Sequence, residues 1–179
     1  MALHQLRFNL SNFLMSFLLV LSCFTLHAQY LTTQGKEIVD KNNTPILLKG
    51  IGLGGWMLQE PYMMQSIGGA KNQQEYRSKL EALIGETKTQ EFYDAWLDNF
   101  VTKQDIDSIA SWGFNSVRLP MHFNLFTLPI EDEPDSNTNT WLDKGFDMVD
   151  ELLVWCEANE LYVILDLHAA PGGQGYDQG

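Results

Sequence analysis

Two polar residues, Arg118 and His168, each stand where a short apolar run gives way to a loop. Arg118 lies in "GFNSVRLP" (113–120), and His168 ends "LYVILDLH" (161–168). Both runs are typical of strands, and α/β enzymes place their active sites at the carboxyl ends of successive parallel strands. Residue type alone leaves simpler interpretations open, a surface arginine at a strand end and a core histidine. The pair is therefore a candidate site only if the two strands are neighbours.

A further candidate is the stretch Gly50 to Gly55, which fits the G-x-G-x-x-G motif of a dinucleotide-binding turn. Such a turn needs a helix that begins within the motif, and Pro61 would interrupt that helix in its second turn. It also needs an acidic residue that ends a second strand about twenty residues on. The polar, helical pattern "AKNQQEYRSKL" (70–80) stands there instead. We interpret the glycines as a tight loop at a strand end, and we expect no cofactor.

The elements around these residues can be predicted from local patterns. Residues 30–48 predict a hairpin with its turn at 41–44. Residues 73–112 have a helical pattern, within which Thr102 and Asp105 resemble a capping box at the start of a shorter helix. A later helix shows an apolar stripe at i, i+4, i+7, i+11 and i+14. The stripe consists of Leu142, Phe146, Val149, Leu153 and Cys156.

Strand, helix, strand, helix, strand is the order found in a parallel sheet with crossover helices. An open doubly wound sheet and a (β/α)8 TIM barrel both satisfy it. The run 161–168 is nearly all apolar, which predicts a strand buried on both faces. A barrel needs roughly 250 residues. We therefore expect about its first three βα units here, in the amino-terminal part of a longer protein, with a small complete domain as the alternative.

The first 28 residues predict a secretory signal peptide. Arg7 precedes an apolar run over 13–26, and Ala28 is a small residue suited to cleavage. The domain would then cover 29–179, and the protein would be secreted or periplasmic. A lipoprotein anchored through Cys23 is the alternative. No second apolar run is long enough to predict a membrane span.

Charge and cysteine content exclude several partners. The formal net charge is −12, and removal of Arg7 with the signal makes it one unit more negative. This acidity argues against nucleic acid and fits a neutral substrate. Cys156 would be the one cysteine left, so neither an internal disulfide nor a thiolate zinc site is expected, and the thiol should fill a helix core position.

Three segments resemble glycoside hydrolase family 5, the cellulase family of (β/α)8 barrels. "LKGIGLGGWMLQEPYM" (48–63) is similar to the family's first strand and loop, and "DIDSIASWGFNSVRLPM" (105–121) to the segment with the family arginine. "LYVILDLHAAPGGQGYDQG" (161–179) is similar to the third strand and its loop. The chain resembles the exo-β-1,3-glucanase branch most, because "KLEALIGETKTQEFYDAWLDNFVTKQDI" (79–106) is similar to that branch's long segment between the first two strands. Together these segments cover most of residues 46–179.

The resemblance implies a retaining β-glycosidase. In such enzymes one glutamic acid protonates the leaving oxygen, and a second carboxylate attacks the anomeric carbon to form a glycosyl-enzyme. The family carries these glutamates on its fourth and seventh strands, neither of which lies in this chain. We therefore assign no catalytic acid here and expect these residues alone to be inactive.

The resemblance also assigns supporting roles to five residues. Arg118 would hold the nucleophilic carboxylate in its ionised form, and His168 would contact the sugar or orient the catalytic groups. Glu60 would accept hydrogen bonds from hydroxyls of the terminal sugar, with an exposed loop charge as its alternative. Asp177 would contact the substrate from the loop after the third strand. The chain departs from the branch at "MHFNLF" (121–126), where an aromatic pair is usual. His122 is the family-like position for a polar, substrate-binding group there, with a loop histidine as its alternative.

Three functions remain open from the sequence. The leading hypothesis is a secreted β-glycosidase that degrades a β-glucan. A non-catalytic carbohydrate-binding barrel, which keeps Glu60 and His168 for binding, is the second. A metal hydrolase that uses Asp166 and His168 is the third and weakest, because the paired histidines of such barrels are absent from the first strand. We predict a polysaccharide or oligosaccharide substrate and no metal.

Overall fold

The computed structural model describes residues 30–63, 69–135, 137 and 139–171. The predicted signal peptide, Cys23 and Asp177 lie outside the described residues. The chain divides into two units, residues 1–47 and 48–179.

The first unit contains the predicted amino-terminal hairpin, but its paired strands lie earlier than expected. Strands β1 (Thr32–Gln34) and β2 (Glu37–Val39) are antiparallel. Gly35 has φ 65° in the connection between them. Glycine adopts positive φ without a steric penalty, so a two-residue connection suffices here.

The turn predicted at 41–44 is present, although only one isolated β-bridge forms between the segments that flank it. The Asp40 carboxylate accepts the N–H groups of Asn42 and Thr44, each at 2.8 Å, which closes the loop. Pairing beyond it is limited to an isolated bridge between Val39 and Pro45. Proline has no N–H to donate to a ladder, so the second half of the predicted hairpin does not extend into a strand.

The second unit contains a parallel sheet of three strands in the order β3 (Gly50–Gly52), β4 (Ser116–His122) and β5 (Tyr162–Ala169). Gly52 is opposite Arg118, and Arg118 is opposite Ile164. The strands that carry Arg118 and His168 are thus direct neighbours, as the candidate site requires. Sequential order suits the first strands of a barrel and also one half of a doubly wound sheet.

The helical pattern over 73–112 forms three helices: α1 (Gln73–Ile84), α2 (Glu86–Asn99) and α3 (Lys103–Ser111). Gly85, at φ 84°, separates the first two. The capping box at the start of α3 is confirmed, because the Asp105 carboxylate accepts the Thr102 N–H at 2.8 Å and its hydroxyl at 2.7 Å. Helix α4 (Asp143–Ala158) connects β4 to β5.

The core lies between the sheet and these helices. Its residues come from the loop after β3, from α3, β4 and α4, and from the residues that flank these elements: Leu53, Trp56, Met57, Val101, Ile106, Ile109, Val117, Leu119, Met121, Val149, Leu152, Cys156 and Leu161. The predicted core position of Cys156 is confirmed. Burial raises the pKa of this thiol to about 11, so it remains protonated and packs as an apolar group.

The buried stripe of α4 agrees with the predicted one at Val149 and Cys156 and differs from it at Phe146 and Leu153. Leu152 is fully buried, whereas Leu153 is 40% exposed and Phe146 is 43% exposed. Gly145 is also buried. A Cβ there would lie 2.4 Å from the Leu125 carbonyl oxygen, so this glycine lets α4 approach the backbone closely.

Two strand predictions also need correction. Strand β4 continues beyond Pro120 to His122, with an irregularity in its pairing at that point. Strand β5 is not buried on both faces, since Ile164, Leu165 and Leu167 are 42%, 52% and 54% exposed. Among the described residues β5 is hydrogen-bonded to β4 alone, and three strands do not close a barrel around its apolar side chains.

Within the described residues, no helix combines the length and apolar character required to cross a bilayer.

Candidate active site

The glycine-rich stretch leads into turns and not into a helix. No helix begins between Gly50 and Met63. Gly55 has φ 83°, and a Cβ at this position would lie 3.1 Å from the Phe100 ring. The stretch therefore lacks the helix amides that bind a pyrophosphate, and the interpretation as a tight loop at a strand end is confirmed.

Two tryptophans fasten this loop to α2. The Trp56 indole N–H donates to the Leu97 carbonyl at 2.7 Å, and the Trp96 indole N–H donates to the Gly55 carbonyl at 2.9 Å. Trp56 is buried, as is the following segment to Pro61. Both indole N–H groups are satisfied by backbone carbonyls, so the loop is anchored at Gly55 and Trp56 before it reaches Glu60.

Glu60 is a buried loop residue, which corrects the alternative of an exposed loop charge. Its relative exposure is 9%, and the hydroxyl of Tyr62 donates to its Oε2 at 3.3 Å. The nearby charge of Glu60 is the main cause that raises the pKa of Tyr62. Tyr62 itself is exposed. The two side chains form a polar pair in the loop after β3.

Arg118, Asp166 and His168 form one cluster on adjacent strands, with Arg118 the third residue of β4 and His168 the last but one of β5. Arg118 Nη2 donates to Asp166 Oδ2 and lies 2.9 Å from His168 Nδ1. Asp166 Oδ2 and His168 Nδ1 are 3.0 Å apart. Side chains two residues apart on a strand share one face, which places Asp166 and His168 on the same side of β5. The Arg118 side chain is 44% exposed, so its charge is partly solvated.

Asp166 is the member of this cluster whose role the sequence did not reveal. Its position two residues before His168 suggested only a metal ligand. The register of β4 and β5 explains why Arg118 meets Asp166, because Arg118 lies opposite Ile164 and Asp166 follows two residues later on the same face. A guanidinium in contact with both would repel a divalent cation, so the cluster favours an ion pair over a metal site. No group of three metal-binding side chains occurs among the described residues.

His122 occupies a different environment at the end of β4. It is buried, its Nδ1 accepts the Asn124 N–H at 3.3 Å, and its ring stacks on Phe123 with the centroids 4.9 Å apart. Burial lowers the pKa of His122, so the neutral ring is favoured. The alternative of a loop histidine is therefore wrong.

His122 lines a cavity of about 660 Å³ that Gln59 and Tyr93 also border. None of Arg118, Asp166 and His168 lines this cavity. Within the described part of the chain, no hydrogen bond links Glu60 or His122 to the Arg118 cluster. The structure thus brings Arg118 and His168 together, and it places Glu60 and His122 in separate contacts.

The family "Cellulase (glycosyl hydrolase family 5)" matches residues 71–178, more than half of the chain. The chain belongs to this family. The matched range contains the whole Arg118–Asp166–His168 cluster. The resemblance stated from the sequence is thereby confirmed.

Curated relatives of this family 5 chain are known from fungi. It is 35% identical over 148 residues to a protein named "Beta-xylosidase" from Phanerodontia chrysosporium, which covers 83% of this chain and 29% of the relative. It is 33% identical over 135 residues to "Probable glucan 1,3-beta-glucosidase A" from Aspergillus clavatus, with 73% and 30% covered. The chain therefore spans about 30% of the length of these relatives.

A solved structure confirms the fold class. The crystal structure of rutinosidase from Aspergillus niger matches with a TM-score of 0.55 and 23% identity, over 73% of this chain and 37% of that chain. The fold is that of a (β/α)8 TIM barrel, of which the described residues form three parallel strands with their crossover helices. This decides between the two architectures that the element order left open.

Proposed function

We propose that this family 5 chain is the amino-terminal part of a secreted, retaining β-glycosidase that hydrolyses a β-glucan. The observation that carries the proposal is the Arg118–Asp166–His168 cluster. It joins two adjacent parallel strands near the carboxyl end of β5, and barrel enzymes place their active sites at the carboxyl ends of their strands. The catalytic acid and nucleophile would be glutamates on later strands.

Arg118 would stabilise the nucleophilic carboxylate. Only its Nη2 contacts Asp166 and His168, so among the described residues Nη1 and Nε have no hydrogen-bond partner. These N–H groups are available to a carboxylate supplied by a later strand. Because the guanidinium is always charged, it would favour the ionised form that attacks the anomeric carbon.

Glu60 would bind the terminal sugar from the loop after β3. Its Oε2 already accepts from Tyr62, and Oε1 has no hydrogen-bond partner among the described residues. An ionised carboxylate accepts from adjacent hydroxyls at once, which suits a sugar ring. The anchored loop would hold this group in place before the substrate arrives. We assign subsidiary substrate contacts to His122 and Asp177.

The substrate we propose is a neutral β-linked glucan, with β-1,3-glucan first. The names of the relatives refer to xylosidase and glucan 1,3-β-glucosidase activities, which share a neutral β-linked sugar. A chain with formal net charge −12 does not attract polyanionic polysaccharides, and it tolerates a neutral one.

Secretion would follow from a signal peptide at 1–28. The test is to express the full-length protein with its native amino terminus and to sequence the amino terminus of the exported form. A mature protein that begins at Gln29 supports the proposal. Lipid modification at Cys23, or retention of residues 1–28, contradicts it.

Hydrolysis is tested with the full-length protein on laminarin and on carboxymethyl-cellulose. Release of reducing sugar supports the glycosidase, and NMR detection of the β-anomer as the first product supports retention. Binding without release would instead identify a non-catalytic carbohydrate-binding barrel. Residues 29–179 alone should release no sugar in the same assay. The Glu60→Gln variant should raise KM and leave the free energy of unfolding nearly unchanged, because glutamine keeps the size of the glutamate side chain.

A further inference from the structure

The contacts around His168 Nδ1 restrict which ring nitrogen carries the proton. Arg118 Nη2 has two hydrogens and cannot accept a hydrogen bond. One hydrogen goes to Asp166 Oδ2, and His168 Nδ1 lies 2.9 Å from the same nitrogen. A hydrogen on Nδ1 would leave two N–H groups facing each other at that distance. An unprotonated Nδ1 makes the contact a hydrogen bond.

The 3.0 Å separation of Asp166 Oδ2 and His168 Nδ1 fits this assignment. Both atoms then accept from the same guanidinium nitrogen, Nη2, and the contact between them is not itself a hydrogen bond. In the competing assignment, an Nδ1 proton would be donated to Asp166, and the charged guanidinium would lie against an N–H donor. Because Arg118 stays charged at all relevant pH values, the first assignment is electrostatically favoured.

We propose that Arg118 and Asp166 together hold the neutral imidazole of His168 in its Nε2–H form, with Asp166 as a positioning residue. Asp166 anchors the guanidinium nitrogen, and that nitrogen fixes the tautomer. The catalytic meaning of this arrangement rests on the proposed glycosidase function. His168 would then present a hydrogen-bond donor, and not an acceptor, to a sugar oxygen or a catalytic carboxylate.

The tautomer can be measured without any enzymatic activity. The full-length protein is labelled with ¹⁵N-histidine, and two-bond ¹⁵N–¹H spectra are recorded at about pH 8, above the usual histidine pKa of about 6.5. The His168 signals are assigned by their loss in His168→Gln. His122 serves as an internal reference. We expect a protonated Nε2 and an unprotonated Nδ1 for His168.

The decisive variant is Arg118→Met, which removes the donor and keeps an unbranched side chain. Asp166 Oδ2 is then the remaining partner of Nδ1, so the proton should move from Nε2 to Nδ1. The proposal is overturned if Nδ1 is protonated in the wild type, or if the variant keeps the wild-type tautomer. Thermal unfolding and circular dichroism establish that the variant is folded.

Two substitutions of Asp166 test its positioning role. Asp166→Asn keeps an oxygen that can accept from Arg118, and the Nε2–H signal should persist. Asp166→Leu removes that acceptor, so the signal should become an average of the two tautomers and kcat/KM should fall by up to about 10²-fold. A pure Nε2–H signal in Asp166→Leu would contradict the role of Asp166. If Asp166→Leu does not fold, a loss of the Nε2–H signal in the folded Asp166→Asn protein would contradict that role instead.

The two proposals fail separately. A protein with the expected tautomers that hydrolyses no glycoside refutes the proposed function and leaves the inference standing. An active glycosidase whose His168 is protonated at Nδ1 refutes the inference alone.

Discussion

Consecutive residues of β4 serve opposite purposes. Val117 and Leu119 are fully buried against the helices, whereas the Arg118 side chain between them is 44% exposed on the other face. The helix-facing side of the sheet is filled with apolar groups from α3 and α4. The other side carries the ion pair and the imidazole.

The difference follows from the two-residue period of a strand. One face gains stability through burial, and the opposite face can hold charged groups because solvent reaches them. Substitutions on the first face should change the free energy of unfolding, and substitutions on the second should change chemistry.

The largest effect should come from Leu119→Ala. This side chain is fully buried in the core, so its truncation should lower the free energy of unfolding by about 2–5 kcal/mol. Urea denaturation monitored by tryptophan fluorescence measures it. The matched control is Arg118→Met one residue earlier, which should cost no more than about 1 kcal/mol because it breaks a partly exposed ion pair. Equal losses in both variants would contradict the division of the strand.

Gly145→Ala should give the second largest loss, about 1–3 kcal/mol. Alanine normally stabilises a helix interior relative to glycine. Here its Cβ would meet the Leu125 carbonyl oxygen at 2.4 Å, and a backbone atom cannot move aside easily. The same denaturation assay measures the change.

Gly52→Ala is the control for this substitution, because nothing lies within 4 Å of the Cβ position there. It should be close to neutral. A stabilised Gly145→Ala protein would show that α4 does not approach the backbone as described.

Local patterns predicted the parts of the fold that depend on neighbouring residues in sequence. The capping box of Thr102 and Asp105 is an example, because its reciprocal side-chain to backbone bonds join two residues within one helical turn. The positions of β4 and β5 and the buried Cys156 were predictable for the same reason. The hairpin was misplaced because Gly35 and Asn43 both permit turns, and local sequence does not rank them.

Tertiary contacts decided the rest. Leu152 and Leu153 are equally apolar, and the packing of α4 in the core decides which one is buried. The partnership of Arg118 with Asp166 depends on the register of two strands 48 residues apart in sequence. A resemblance to a family could indicate Arg118 and His168, but the contact that orients them came from the register.

Tyr93→Phe should raise the free energy of unfolding by about 1 kcal/mol. The Tyr93 hydroxyl is buried without a hydrogen-bond partner among the described residues, and burial raises the pKa of Tyr93 to about 12. Removing an unpaired buried hydroxyl removes its desolvation cost. Tyr62→Phe, at an exposed position, is the control and should change stability little. A destabilised Tyr93→Phe protein would reveal a partner for the hydroxyl.

The smallest effect should be a pH dependence that His122→Asn removes. His122 follows the pairing irregularity of β4, and it is a titratable group at a buried position. Burial lowers its pKa in the folded state, so below about pH 6.5 the unfolded chain binds the proton more readily and stability falls with pH. Asparagine keeps an acceptor for the Asn124 N–H but does not titrate. The difference in unfolding free energy between wild type and variant should therefore be constant above about pH 7 and should shift against the wild type as pH falls towards about 5. A difference that stays constant over this whole pH range would mean that solvent reaches the His122 ring.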